Sequence, residues 1–467
     1  MTPFQTFSEI TSALPKARVI PNIDAEINAI RNKKLKSIIV LDDDPTGTQT
    51  VYDTPVLTKW STSIIAAELE KDTKLFFILT NSRSRTSKDA EKLAFEIGDN
   101  IRVATEGTIN PVLVISRSDS TLRGHYPVEV NALVQGMQLK DVVTFIIPAF
   151  FEGGRYTIGD THYVMEQEKM IPAADTAFAR DKVFGYQSSD LREWVLEKTG
   201  NAVQSSQIKS LSLKELRVDS LELLGQKMER LTPGDICIVN ATEYQDLKKL
   251  TLAVLRSSIT PLFRTAASFV AAIAAQPPRP LLSPSELTLP VNRAGLVVVG
   301  SYVPKTTEQL QHLRTHLPHY DVEIDVQKLI QNRVESPSQL AREIDQQIKE
   351  GRLVILYTSR KLISASTDQQ NLVIGQKVSN YLSDIVSKLS IAPRFLITKG
   401  GITSSDVTTQ SLLAVRAMIR GQIMPGVPVW ELGPESRFPG LYQIVFPGNV
   451  GDIASVTEVA AQLSDKY

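Results

Sequence analysis

Four polar clusters in the sequence combine arginine, aspartate and hydroxyl side chains, and each of them follows a short apolar run. The clusters are "DDDPTG" (42–47), "TNSRSRT" (80–86), "SRSDSTLRGH" (116–125) and "PAFFEGGRYTIGDTHY" (148–163). An arginine side chain can grip a carboxylate with two parallel hydrogen bonds, and an aspartate accepts hydrogen bonds from hydroxyl groups. The clusters therefore predict a site for a small ligand with a carboxylate and several hydroxyl groups.

The three consecutive aspartates, Asp42, Asp43 and Asp44, raise an electrostatic question. Like charges crowded at one point cost free energy unless positive groups lie nearby. The candidate partners are the arginines of the neighbouring clusters, namely Arg83, Arg85, Arg117 and Arg123. The alternative is that these residues are salt-bridged loop ends that only stiffen the domain. Four such clusters at four successive strand ends favour a binding site.

A different pattern occupies the C-terminal part of the chain, where three turns are rich in glycine and serine. The turns are "VVVGSYVPKTTEQL" (297–310), "LITKGGITSSDV" (396–407) and "VFPGNVGD" (445–452). Glycine lets backbone N–H groups approach a phosphate closely, and the N-terminus of a following helix adds positive potential. Three such turns predict a phosphate or nucleotide site.

The elements that must position these residues alternate between short β-branched runs and longer amphipathic stretches. This alternation predicts two α/β domains with mainly parallel sheets. Five prolines at 274–290 exclude a regular helix or central strand there. We therefore predict a domain at 1–273, a Pro-rich connection at 274–290 and a second domain at 291–467. A helix is expected in "TSKDAEKLAFEIGDNI" (86–101), with Ser87 as its N-cap.

Several classes of protein lose support from what the sequence lacks. It has no G-x-x-x-x-G-K-[ST], no G-x-G-x-x-G after a strand and no H-E-x-x-H. The net charge is zero, with 51 basic and 51 acidic residues, which argues against a nucleic-acid partner. No apolar run of about 18 residues predicts a membrane span. We expect a cytoplasmic protein, since the single cysteine, Cys237, reads as a core thiol and allows no disulfide framework.

The five histidines fall into two groups. His312 and His316 lie four apart, and we interpret them as part of a solvated helix face, with no third metal ligand in view. His125 and His162 lie inside the polar clusters and are better site candidates. We assign no residue as a metal ligand from the sequence.

The ordered set of motifs resembles the four-carbon acid sugar kinase family, which includes 3-oxo-tetronate, D-threonate and D-erythronate kinases. The resemblance rests on "DDPTGTQT", "NSRSRT", "SRSDSTLRGHYPVE", "PAFFEGGRYTIGDTHYV", "FRTAASFVA", "VVVGSYVPKTTEQL", "TKGGITSSDV" and "PGNVGD", which together cover about residues 37–455. The chain differs from many members at Thr48-Gln49-Thr50 and at Ile402.

The resemblance implies an N-terminal domain that binds the acid sugar and a C-terminal domain that binds ATP. The implied substrate-binding residues are Asp43, Arg83, Arg117, Ser118, Asp119, Ser120 and Arg123. The implied ATP-binding residues are Ser301, Gly400, Gly401, Ile402, Thr403 and Gly448.

The expected activity is ATP-dependent phosphorylation of a hydroxyl group of a four-carbon acid sugar, with Mg²⁺ accompanying ATP. Asp43 is the candidate catalytic base, and closure of the two domains about the 274–290 connection is expected to exclude water. Two alternatives stay open: a sensor that binds sugar acid and nucleotide without turnover, and a dehydrogenase acting on a related hydroxy acid. The expected partners are the acid sugar and ATP only, and a homodimer is compatible with the sequence.

Overall fold

The computed structural model describes residues 5–360 and 368–464. The chain divides into two compact units. The first comprises Met1–Asp43 and Lys59–Pro278, and the second comprises Asp44–Thr58 and Arg279–Tyr467. The chain therefore passes between the units three times, at 43/44, 58/59 and 278/279.

The strands of the described residues, in chain order, are β1 (Ser37–Asp42), β2 (Thr54–Leu57), β3 (Leu75–Leu79), β4 (Val112–Arg117), β5 (Val142–Ile147), β6 (Arg155–Ile158), β7 (Thr161–Glu166), β8 (Lys169–Pro172), β9 (Ile208–Leu211), β10 (Ile236–Val239), β11 (Thr260–Thr265), β12 (Leu296–Val299), β13 (Tyr320–Ile324), β14 (Val354–Thr358), β15 (Leu396–Lys399), β16 (Arg416–Met424), β17 (Val427–Leu432) and β18 (Tyr442–Phe446).

The helices of the same residues are α1 (Phe7–Thr11), α2 (Ile23–Lys34), α3 (Thr62–Glu70), α4 (Ser87–Ala104), α5 (Val128–Met137), α6 (Leu191–Lys198), α7 (Leu213–Val218), α8 (Leu221–Glu229), α9 (Tyr244–Arg256), α10 (Ala267–Ala274), α11 (Pro304–His316), α12 (Val326–Ile330), α13 (Pro337–Lys349), α14 (Asp368–Ser387), α15 (Gly401–Asp406) and α16 (Ser455–Leu463).

The first unit is built on a parallel sheet with the strand order β3-β1-β4-β11-β5-β10-β9. β1 is buried along its whole length, as expected for a strand covered by helices on both faces. From β1 the chain first adds β3 on one side and later β4 on the other. The order reverses between β1 and β4, and such a reversal opens a crevice at the carboxyl ends of the strands. A small antiparallel sheet, β6-β7-β8, belongs to the same unit.

The second unit has its own sheet, with the order β13-β14-β12-β15-β18-β17-β16-β2 in the described part of the chain. The first five strands of this order are parallel, and the last three pair in antiparallel fashion. The strand order reverses between β12 and β15. A second topological switch point therefore lies where "VVVGS" and "TKGG" end their strands.

β2 ends the second sheet although its residues come early in the sequence. It pairs with β16 from Arg416↔Leu57 to Ile419↔Thr54. In the same segment, the buried Trp430 donates its indole N–H to Thr48 Oγ1 at 2.9 Å. Residues 44–58 thus belong to the core of the second unit, an exchange that the continuous 1–273 prediction did not include.

The structure confirms the predicted fold class of α/β units with mainly parallel sheets, and several details differ. Helix α4 begins at Ser87, but Thr86 is its N-cap, because the Thr86 side chain accepts a hydrogen bond from Asp89 N. In the Pro-rich stretch, Leu282 and Leu287 are buried in the core of the second unit. Part of the predicted connection is therefore packed against that unit.

Candidate functional site

The carboxyl ends of β1, β4 and β11 bring together an arginine–aspartate cluster within the first unit. The pairing register sets Asp42 beside Arg117 and Thr265 beside Arg117 on the neighbouring strand. The cluster consists of Asp42, Asp43, Arg83, Arg117, Ser118, Asp119, Arg123 and Arg264. It lies at the switch point between β1 and β4, where α/β sheets bind ligands.

Asp43 is the most heavily bonded member of this cluster. Arg83 grips it with two hydrogen bonds, Nη2 to Oδ1 at 2.7 Å and Nε to Oδ2 at 3.2 Å. Ser118 Oγ donates to Asp43 Oδ2 at 2.5 Å. Burial alone would raise the pKa of Asp43, but the charges of Arg83, Arg264 and Arg117 outweigh it and lower that pKa below its usual value. Asp43 is therefore a carboxylate at neutral pH.

Asp42 points to a different partner. Its Oδ1 accepts a hydrogen bond from Arg117 Nη1 at 3.0 Å, and both side chains are buried. Arg117 Nη1 also lies 3.9 Å from Asp43 Oδ1. The adjacent aspartates are thus held mainly by different arginines, and this distribution relieves their mutual repulsion.

Asp119 provides the third carboxylate of the cluster. Arg123 Nε donates to its Oδ2 at 2.9 Å, Thr121 also bonds to it, and Arg83 Nη1 lies 3.6 Å from its Oδ1. Burial raises the pKa of Asp119, but the charges of Arg83 and Arg123 exceed that effect and keep its pKa well below normal. Arg83 therefore bridges Asp43 and Asp119 and couples the first three predicted clusters.

A glycine makes this close packing possible. Gly124 has φ +118°, and a Cβ atom there would lie 2.6 Å from Ser118 Oγ and 2.7 Å from Arg264 Nη2. No side chain fits at those distances without displacing the cluster. Gly124 in "STLRGH" is therefore required by both its backbone angle and its neighbours.

The remaining candidate residues of this region lie around the arginine–aspartate cluster. Ser120 lies beside the cluster, and its carbonyl contacts His162 Nε2 at 2.7 Å. Burial lowers the pKa of His162 to about 4, so the ring is neutral at pH 7 and its Nε2–H donates to that carbonyl. His125 contacts the Ser82 carbonyl at 3.1 Å, and Arg85 is exposed. These two histidines order loops around the cluster.

Arg264, at the end of β11, is the cluster member that the sequence prediction missed. Its Nη1 lies 3.5 Å from Ser116 Oγ, and its Nη2 lies 3.5 Å from the Arg123 carbonyl. The sequence does show that Arg264 is a polar residue at the end of an apolar run, in "FRT". It does not show which residues surround Arg264, because β11 comes to lie between β4 and β5 only in the folded sheet.

The predicted nucleotide turns also converge, within the second unit. Ser301 follows β12, and Gly400 follows β15 with φ +111°. A Cβ atom on Gly400 would lie 3.1 Å from Ser301 Cβ, and one on Gly448 would lie 3.6 Å from Ser301 Oγ. Thr306 Oγ1 donates to the Gly448 carbonyl at 3.1 Å. Three separate turns thus meet at the switch point of the second sheet.

Asp44 joins these turns from the exchanged segment. A Cβ atom on Gly401 would lie 2.7 Å from Asp44 Oδ2, so the absence of a side chain at Gly401 admits that carboxylate. Asp44 Oδ1 accepts hydrogen bonds from Thr46 N at 2.8 Å and from Thr46 Oγ1 at 2.6 Å. Thr403 is buried next to the turn, whereas Ile402 is 55% exposed on the surface.

Two cations flank the glycine turns, and the sequence analysis assigned neither of them. Arg360 Nη1 donates to the Ser301 carbonyl at 2.7 Å. Lys399 Nζ donates to the Pro447 carbonyl at 2.6 Å and lies 4.1 Å from the centroid of the Phe446 ring. Burial, with a smaller contribution from Lys305, lowers the pKa of Lys399 to about 7. These groups place positive charge beside backbone turns that suit phosphate.

Neither a cluster of metal-ligating side chains nor a membrane-spanning helix is found in the part of the chain that the structure describes. No three or more histidine, cysteine, aspartate or glutamate side chains there are grouped to hold a metal ion. His312 stacks on His316, and its Nδ1 contacts Thr457 Oγ1 at 2.8 Å. Within the same residues, no helix combines the length and apolar character needed to cross a bilayer.

Two family models match successive parts of the chain. Residues 38–273 match the family model of a sugar-binding N-terminal domain, and residues 296–455 match that of a nucleotide-binding C-terminal domain. The comparison with curated proteins gave no match.

Two solved structures show the same fold. One is a Haemophilus influenzae protein of family DUF1537, with 18% identity, a TM-score of 0.62, and coverage of 91% of this chain and 99% of that one. The other is a Salmonella typhimurium LT2 protein provisionally named as a tRNA synthase, with 19% identity, a TM-score of 0.65, and coverage of 92% and 99%. At such low identity, these likenesses carry the fold alone.

The lowered pKa of Lys399 predicts a specific dependence of stability on pH. Between its folded pKa of about 7 and its ordinary value of 10.5, the unfolded chain binds a proton that the folded chain does not. The contribution of Lys399 to the free energy of unfolding must therefore rise with pH across this window. Lys399→Met should abolish that rise. The free energy of unfolding of the wild type minus that of the variant should therefore increase by roughly 2–3 kcal/mol between pH 7 and pH 9.5.

Urea unfolding at several pH values measures this difference. Lys349→Met, which removes an exposed lysine from the same unit, is the matched control. If the difference in free energy of unfolding between the wild type and Lys399→Met stays constant with pH, Lys399 keeps an ordinary pKa.

Proposed function

We propose a kinase function from the premise that the chain belongs to the family that joins a sugar-binding N-terminal domain to a nucleotide-binding C-terminal domain. The reaction is the transfer of the γ-phosphoryl group of ATP to a hydroxyl group of a four-carbon acid sugar. The observation that carries the proposal is the arginine–aspartate cluster at one switch point and the glycine turns at the other. A charged, hydroxyl-accepting cluster and a phosphate-accepting backbone are the two halves that such a reaction needs.

The arginine–aspartate cluster is the proposed acid-sugar site. Asp43 and Asp119 are carboxylates, so they accept hydrogen bonds from sugar hydroxyl groups. The arginines supply the charge that attracts an anionic substrate. Because Asp43, Ser118 and Arg83 already hold one another in fixed positions, a hydroxyl group that binds there is oriented with little loss of entropy.

The role of Asp43 follows from its charge. A carboxylate with a lowered pKa is a weak base, and such a group orients the attacking hydroxyl and takes its proton late in the transfer. A late proton transfer suits a loose, metaphosphate-like transition state. Positioning and electrostatics therefore account for most of the proposed catalysis.

The glycine turns at Ser301, Gly400 and Gly448 form the proposed nucleotide site. Their backbone can approach phosphate oxygens, while Arg360, and Lys399 in its protonated form, balance the negative charge. Ile402, with its exposed side chain, contributes through its backbone in this proposal. Thr403 packs beneath the turn.

Mg²⁺ is compatible with the second unit through a single carboxylate. Mg²⁺ in kinase sites is usually held by one or two carboxylates together with substrate phosphates. Asp44, 2.7 Å from the Cβ position of Gly401, is the residue that fits this role. When bound, the ion neutralises charge that develops on the phosphate oxygens.

A substrate panel tests the proposal directly. The protein is incubated with erythronate, threonate or 3-oxo-tetronate, once with ATP and Mg²⁺ to follow ADP formation and once with NAD(P)⁺ to follow NAD(P)H formation. We expect ADP that depends on one of the acids. Acid-induced melting shifts without ADP would instead favour the sensor, and reduction of NAD(P)⁺ would favour the dehydrogenase.

The aspartates provide a paired test of the acid-sugar site. Asp43→Asn keeps the shape and removes the charge, so turnover at saturating ATP and acid should fall by about 10²–10⁴-fold. Asp42→Asn should lower turnover less, and its cost should appear as reduced stability, because it leaves Arg117 buried without its main partner. Near-normal turnover of Asp43→Asn would assign the aspartates a purely structural role.

Gly448→Ala tests the nucleotide site without disturbing the fold. The added methyl group would meet Ser301 Oγ at 3.6 Å and Val303 Cγ2 at 3.7 Å, which are ordinary contacts. The variant should fold normally, yet bind ATP at least tenfold more weakly by calorimetry, because the methyl group occupies space next to the phosphate. The Michaelis constant for the acid should not change. Unaltered ATP affinity would remove Gly448 from the site.

A further inference from the structure

Arg264 differs from the other arginines of the cluster in its charge compensation. Arg83, Arg117 and Arg123 each have an aspartate oxygen within 3.0 Å. Arg264 is only 6% exposed, and its nearest polar partners are the two oxygens at 3.5 Å. Among the described residues, no carboxylate lies within the 4.0 Å ion-pair distance of it. Burial lowers the pKa of Arg264, against the opposing charges of Glu129 and Asp43.

A second buried donor belongs to a residue that lines the same cavity as Arg264. Trp194, on α6, is 2% exposed and stacks on Tyr126 with ring centroids 4.9 Å apart. In the described part of the chain, no acceptor receives the hydrogen bond of its indole Nε1. A buried donor without an acceptor costs about 1–3 kcal/mol, so native proteins rarely keep one without a reason.

Arg264 and Trp194 both line one small cavity in the first unit. Its other lining residues are Asp119, Leu122, Ile146, Pro148 and Thr265. Three of these are apolar, and a low-dielectric wall strengthens the attraction between a guanidinium and an anion. The Asp119 charge is already matched by Arg123 and Arg83, so it opposes an entering anion only weakly. A carboxylate would supply both the acceptor and the negative charge that these two side chains lack.

We propose that Arg264, assisted by the indole N–H of Trp194, binds the carboxylate of the sugar acid. The inference rests on the proposed function and names the residues that give this site its preference for acids over neutral sugars. It assigns the carboxylate contact to Arg264 and leaves Arg83, which the family resemblance implies as a substrate-binding residue, to hold the aspartates. Both hydrogen-bonding edges of Arg83 face aspartates, whereas the Arg264 fork has no carboxylate partner among the described residues.

The position of Arg264 supports the assignment. Its Nη2 lies 2.7 Å from the Cβ position of Gly124, which is also 3.4 Å from Asp43 Oδ2. A carboxylate at Arg264 therefore leaves the rest of a four-carbon chain within reach of Asp43 and Ser118. One end of the ligand is fixed by charge, and its hydroxyl groups meet the acceptors of the cluster.

Calorimetry without nucleotide tests the assignment, because it measures binding of the acid independently of phosphoryl transfer. Erythronate and threonate are compared with the neutral tetritols erythritol and threitol. Arg264→Met should weaken acid binding at least tenfold and change tetritol binding little. Arg264→Lys keeps the positive charge but loses the two-pronged guanidinium group, so its loss of affinity for the acid should be intermediate. This variant replaces Arg264→Met in the test if Arg264→Met does not fold.

Trp194 adds a spectroscopic readout. Binding of the acid should change tryptophan fluorescence in the wild type, and Trp194→Phe should abolish that change while weakening acid binding several-fold. Trp60→Phe is the matched control, because its indole N–H already donates to Glu96 Oε1 at 3.1 Å on the surface. Trp60→Phe should keep both the affinity and the signal.

The outcomes separate the inference from the proposed function. If the wild type binds an acid and the variants of Arg264 and Trp194 bind it equally well, the inference is wrong while the kinase proposal stands. The inference also fails if these variants lose acid and tetritol binding in parallel, because a carboxylate contact affects the acid alone. If no acid binds the wild type, the proposed function fails and the inference falls with it.

Discussion

The twofold grip of Arg83 on Asp43 is the interaction on which the arrangement of the first unit depends. It joins the end of β1 to the loop after β3, and the same guanidinium reaches Asp119 in the loop after β4. Three loops that are remote in sequence are thereby fixed at one edge of a sheet. Charges buried this deeply are tolerated because nearly every one has a partner, and the proposed carboxylate contact lies where that pairing is incomplete.

The same reasoning explains why adjacent aspartates have different roles. Asp42 is held by Arg117, Asp43 is held by Arg83 and Ser118, and Asp44 lies in the second unit against Gly401. A single sequence motif thus supplies a structural ion pair, a hydroxyl acceptor and a carboxylate beside the glycine turns. The cost of crowding three like charges in sequence is removed by separating them in space.

Much of this could be predicted from the sequence. Parallel α/β sheets were indicated by apolar strands that end in polar loops, and the position of those loops at strand ends predicted which side chains would meet. Neighbours that are distant in sequence could not be predicted in this way.

Arg264 is a single cation at the end of an apolar strand, and only the insertion of β11 beside β4 brings it to Ser116. Trp194 reads as an ordinary core residue of α6 until its indole N–H is found without an acceptor among the described residues. The sequence of residues 44–58 predicts only a turn and a short strand. Nothing in that stretch indicates that Thr48 contacts Trp430, which lies 382 positions later.

The exchanged segment has a consequence for how the protein is made. β2 covers β16, which would otherwise be the edge strand of the second sheet, and an exposed edge strand is a template for association with other chains. Residues 44–58 leave the ribosome long before β16 does, so the last strand pairing of the second unit must wait for nearly the whole chain. Such a pairing has a large loop-closure entropy, and a folded first unit would reduce that cost because it contains the residues on both sides of the segment. The second unit is therefore complete only when residues 44–58 are present, and a fragment beginning at Arg279 would expose β16 and leave the indole of Trp430 without Thr48.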